Sequence, residues 1–258
     1  MTGPAGVSAV VLAELAAGAT ALVWPTPLWS EVRRGFFTLT GVVVLILAAA
    51  TWASAAAGEV PGDDAGTWSV RLAAALTGVT FLWLVLLIGR RQAGARMVGF
   101  LSVPAAIALL AAMAGTADGS YVGAFLQLLA GAAFLGAALD GLLLGHWYLT
   151  DRGLSRTPIN RHTTLLIVAV VMEAAAVISG GFGPTRTTAS INPLLTSVGL
   201  ASWIALGMVG TTALIAVLIR AALRGTRASA VQAATGFFYL AVITALTAEF
   251  ASKVRFLP

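Results

Sequence analysis

The chain has 258 residues, of which 59% are hydrophobic and only 10% charged, against roughly 25% charged residues in an ordinary soluble domain. With a mean hydropathy of +0.95, so much apolar surface cannot be hidden in a water-soluble fold. The net charge of +5 does not indicate nucleic acid either, because the basic residues stand in short clusters between apolar runs, where they direct membrane insertion. The absence of cysteine excludes disulfides, cysteine-ligated iron–sulfur clusters, covalently attached c-type haem and a thiol nucleophile.

Eight apolar segments follow in chain order, at 5–23, 36–57, 69–89, 97–114, 121–149, 163–182, 194–220 and 231–252. At about 1.5 Å per residue most can cross a hydrocarbon layer of roughly 30 Å. Met1 to Pro4 carry no positive side chain, and no convincing small-residue cleavage site follows the first run, so that segment is expected to remain as a helix. The fourth segment is short and contains Pro104, which points to a kinked or partly re-entrant piece. The fifth carries a small-residue stripe at Ala137, Gly141 and Gly145, suited to close helix packing.

The connections alternate in charge. Arg33 and Arg34 are followed by Glu59, Asp63 and Asp64, then Arg90, Arg91 and Arg96, then Asp118. The series continues with Arg152, Arg156 and Arg161, a loop with Arg186, and finally Arg220, Arg224 and Arg227. Basic loops are retained in the cytoplasm, which puts both termini on the outer side, mildly against Lys253 and Arg255. Trp24, Trp29, Trp68, Trp147 and Tyr148 fall at segment ends, the headgroup level that amphipathic rings prefer. The fold class is therefore all-α: a polytopic integral membrane helical bundle forming a single transmembrane domain over 1–258, multi-pass in the plasma membrane. A loose internal match pairs Val11–Ala17 with Val170–Ala176, but the flanking helices do not extend it.

Ionisable residues within apolar segments are the informative ones, since each costs a few kcal/mol at the bilayer centre unless paired or neutralised. Glu14 and Glu173 both fall near the midplane, on faces rich in small residues (Ala17, Gly18 and Ala21; Ala169, Ala176 and Gly180), so they can share a proton and form a proton path. Asp140, His146, Trp147 and Tyr148 in the fifth segment offer a carboxylate, an imidazole and aromatic surface for a quinone head group, or simply an interfacial anchor. His146 and His162 bracket one short connection and could ligate a b-type haem, although a solvated loop boundary beside Arg161 accounts for His162 more simply. Glu249 and Lys253 fit an i,i+4 ion pair near the outer surface. Gln127 can tie helices together, and Arg71 can extend to the interface. No His-x-x-x-His metal pair, phosphate-cradling glycine motif or serine–histidine–acid set can be read.

These residues lead first to a membrane subunit of an electron-transfer complex that binds a quinone and conducts protons, its redox centres supplied by partner subunits. The alternatives are a proton-coupled secondary transporter of a small molecule and a purely structural membrane anchor.

Overall fold

The structure is a computed structural model and describes residues 1–117, 119–151, 153–182, 199–225, 229–254 and 256. The loop charges at Asp118, Arg152, Arg186, Arg227 and Arg255 lie outside the described residues, as does the start of the seventh apolar segment. The helices are α1 (Gly3–Val23), the single turn α2 (Leu28–Glu31), α3 (Arg34–Ala57), α4 (Asp64–Ile88), α5 (Gln92–Ala114), α6 (Tyr121–Thr150), α7 (Thr157–Gly180), α8 (Leu200–Leu223) and α9 (Ser229–Lys253). There is no strand among the described residues. All but α2 are long and apolar enough to cross a membrane, which makes this an all-helical, multi-pass membrane protein.

Local chemistry sets several of the helix starts. Asp63 and Ser120 cap α4 and α6 by accepting the Gly66 and Gly123 backbone N–H groups at 2.9 and 3.4 Å, donors that have no partner inside the helix. Pro4 and Pro158 occupy the first turns of α1 and α7, where a missing N–H is harmless. Away from the packed faces, large apolar residues such as Ile46, Phe81, Val171, Leu214 and Ile243 stay exposed, as a lipid-facing surface requires.

The eight long helices form two rings of four with the same internal connectivity. In the first, α1 packs on α3 and α5, α3 on α4, and α4 on α5; in the second, α6 packs on α7 and α9, α7 on α8, and α8 on α9. The rings meet through α1 and α6, the two most buried of the eight. At their crossing a Cβ on Gly18 would collide with the Ala132 carbonyl, and one on Gly136 with the Gly18 backbone. Two backbones touch there, the approach that small residues permit in membranes. Each ring has an even number of crossings, so α1 and α6 run in the same direction, the arrangement of a parallel repeat about an axis along the membrane normal.

This packing revises several expectations. α5 is an unbroken helix of 23 residues with Pro104 inside it, long enough to span, so the re-entrant reading of the fourth segment is set aside. It begins five residues earlier than the apolar run because the helix extends through Gln92 to Arg96, where two polar side chains end the run. The match between Val11–Ala17 and Val170–Ala176 has no structural counterpart, since the repeat pairs α1 with α6 and not with α7. Trp24 is only 1% exposed and packs with Trp29, Phe37 and Trp83. It belongs to an interior aromatic group and is not an interfacial anchor.

Replacing Gly136 with Ala is expected to force α1 and α6 apart and destabilise the protein by about 1–3 kcal/mol. Gly78→Ala, where an added Cβ meets nothing within 4 Å, should leave the melting temperature of the detergent-solubilised protein unchanged. Equal melting temperatures for the two variants would contradict the close crossing.

Candidate functional site

The most polar part of the interior lies where the two rings meet, and it is built from three helices. Glu14 is on α1, Glu173 on α7, and Glu249 and Lys253 on the last two turns of α9. All four are at most 2% exposed. The Lys253 ammonium lies 2.8 Å from Glu14 Oε1 and 3.1 Å from Glu249 Oε2, and it stands 5.6 Å from the centroid of the Phe256 ring. Ser252 donates its hydroxyl to Glu249 Oε2 at 3.2 Å. Glu14, Glu173 and Glu249 lie close enough to one another to interact electrostatically.

Small residues make the arrangement possible. Glu14 points at α6, where a Cβ on Gly131 would strike its carboxyl group. The chemistry follows from counting donors. Ionised carboxylates can only accept hydrogen bonds, so neighbouring acids can be bridged only when one of them carries a proton. Three acids and one ammonium form a group that is formally two charges negative when every acid is ionised, and removal from water makes that imbalance costly.

The cluster is not sealed. Glu173 and Lys253 form part of the wall of a cavity of about 280 Å³, together with Ser120, Gln127, Ser179 and Ser252. Glu173 lies about 10 Å inward from the Gly180 end of α7, and Gln127 about 9 Å inward from the Tyr121 end of α6. The cavity therefore enters from the face where α6 starts and α7 and α9 end, and reaches the acids. Glu173 Oε2 is buried and accepts no hydrogen bond among the described residues.

The structure thus brings Glu14 and Glu173 into one group, as their depth suggested, but through α9 and not through direct packing of α1 on α7. Glu249 and Lys253 are corrected from a surface ion pair to the centre of the cluster. The i,i+4 pair exists, but the α9 terminus is buried against α1 and is not solvated. Their sequence signal was the lysine itself, placed at the end of an otherwise apolar helix. Gln127, expected to tie helices, lies in the cavity wall.

The residues read as a quinone site face different neighbours. Asp140 is fully buried, with neither carboxyl oxygen hydrogen-bonded among the described residues. The exposed His146 lies within hydrogen-bonding distance of the Tyr239 hydroxyl, at 3.1 Å from Nε2. Trp147 packs where Gly35 leaves room on α3, and Tyr148 donates its hydroxyl to the Ser155 carbonyl. His162 is not at a solvated loop boundary: α7 starts at Thr157, so His162 is in its second turn, fully buried, with Nδ1 3.2 Å from the Pro158 carbonyl. The two imidazoles proposed as a haem pair thus take separate partners. Among the described residues no group of three or more His, Cys, Asp or Glu side chains is arranged to hold a metal ion. No protein-family model, no curated protein and no solved structure matches this chain.

Lys253→Met should leave the buried acids uncompensated and destabilise the protein by about 3–5 kcal/mol. Adding Glu14→Gln to it should recover part of that loss, giving a clear non-additive term in a double-mutant cycle measured by unfolding in detergent. Additive effects would show that the 2.8 Å contact carries no coupling.

Proposed function

We propose that this protein is a proton-coupled secondary transporter of a small molecule, with the Glu14–Glu173–Glu249–Lys253 group as its proton-binding site. One observation carries the reading: a buried ammonium paired with Glu14 and Glu249 across the junction of the two four-helix rings, beside a polar cavity within the second ring whose wall includes Glu173. Coupling sites of secondary transporters lie at such repeat junctions near the midplane. A proton arriving through the cavity meets Glu173 first. Glu249 and Glu14 lie beyond it on Lys253, so the proton can pass inward to these acids while Lys253 limits the net charge. The Gly18–Gly136 crossing gives the rings a smooth contact about which to rock.

The same reading orients the protein. Arg33, Arg34, Arg90, Arg91, Arg156, Arg220 and Arg224 belong to connections on the face opposite the cavity mouth; assigned to the cytoplasm of a plasma membrane, they put both termini and the cavity mouth outside. A second reading, a quinone-binding and proton-conducting subunit served by redox partner subunits, draws on the exposed His146–Tyr239 pair. Quinone in a solvent extract of the purified protein would favour it.

Reconstituted in liposomes with an internal pH dye, the protein should dissipate an imposed pH gradient when a mixture of small organic cations, anions and neutral solutes is supplied. Glu14→Gln and Glu173→Gln should each slow this by roughly tenfold or more, while Glu59→Gln, in an exposed loop, should not. Unchanged rates in both buried-acid variants would remove the proposed site. Because the chain has no cysteine, Ser120→Cys gives a single thiol at the cavity mouth, and a membrane-impermeant maleimide should label it in intact cells. Labelling only after permeabilisation would reverse the orientation.

A further inference from the structure

We infer that the cavity beside Glu173 binds a small organic amine in its protonated form, and that the amine and the coupling proton compete for the Glu173 carboxylate. The inference rests on the transport reading and names its substrate class.

Charge selects the ligand. The Lys253 ammonium is already engaged by Glu14 and Glu249 at 2.8 and 3.1 Å, so it has little left to offer an anion. Glu173 is 1% exposed, adjoins the cavity, and keeps Oε2 without a hydrogen-bond donor among the described residues, which leaves a buried acceptor suited to a cationic N–H. With all acids ionised the group is two charges negative; one proton and one monovalent cation bring it to neutrality. An anionic ligand would increase the imbalance.

The walls define the rest of the ligand. Ser120, Gln127, Ser179 and Ser252 supply polar contacts towards the mouth, and Ala124 and Phe256 supply apolar surface. A volume of about 280 Å³ is just below the roughly 300–1,000 Å³ typical of small-molecule sites. The occupant is therefore a compact primary or secondary amine with a short hydrocarbon part.

Competition at one carboxylate produces exchange. Among the described residues, the charged and titratable groups that act on Glu173 are Glu14 from α1 and Glu249 and Lys253 from α9; α6 contributes the uncharged Gln127 to the same wall. A Glu173 carboxylate that accepts an ammonium N–H cannot at the same time carry the proton, so amine entry expels a proton and amine exit readmits one. The result is antiport.

The test is calorimetric binding to the full-length protein in nanodiscs, using n-butylammonium, with butyrate and n-butanol as probes of matched size. Butylammonium should bind, with a proton released to a weakly buffered medium, and binding should weaken by about tenfold per pH unit once the site is mostly protonated. Glu173→Gln should weaken binding tenfold or more, while Glu173→Asp, which keeps the charge, should retain it and provide the check on folding. Preferential binding of butyrate, or butylammonium binding that is unchanged in Glu173→Gln, would overturn the assignment. No amine binding in a protein that still dissipates a pH gradient would remove the amine and leave the proton site; failure of both would remove both.

Discussion

A lysine ammonium with its carboxylate partners, taken out of water inside a lipid-embedded bundle, is tolerable only if the geometry is tight. Lys253 meets that condition by drawing together α1 and α9, which belong to different rings, with Glu173 of α7 close by. Much of the surrounding architecture follows from it. Gly131 leaves room for the Glu14 carboxyl, Ser252 donates to Glu249, and Phe256 is buried beside the ammonium. An apolar bundle of the same shape would need none of these.

The opposite face is organised by a different rule. Its arginines tie connections together: Arg161 forms a two-pronged contact with Glu31 at 2.9 and 3.0 Å, Arg34 donates to the Leu87 carbonyl at 3.1 Å, and Arg33 lies 3.2 Å from Asp151. These contacts are partly exposed and individually weak. Together they hold the helix ends on one side of the bundle, while the cavity side places polar groups in its interior.

The membrane class and the number of spans were legible because twenty-residue apolar runs have few alternatives in a chain of this composition. Glu14 and Glu173 were legible as a pair from depth and from their small-residue faces. Lys253 was not, because an i,i+4 partner and a position near the C-terminus describe a solvated helix end equally well; only the burial of that end against α1 separates the two. His162 was misjudged for a related reason. A hydropathy window starts where apolar residues start, whereas α7 begins a turn and a half earlier at a proline-containing first turn. The repeat was hidden because it lies in which helix touches which, and side-chain identity survives between α1 and α6 mainly where the backbones meet, at Gly18-Ala19 and Gly136-Ala137.

The even number of crossings in each ring also bears on ancestry. A four-helix unit has its two ends on the same side of the membrane, so two copies joined head to tail insert in the same sense without any change in the charges that orient them. Duplication and fusion of such a unit would be a single genetic step. The polar group lies unevenly across the junction, with one acid from the first unit and the remaining acids and the lysine from the second.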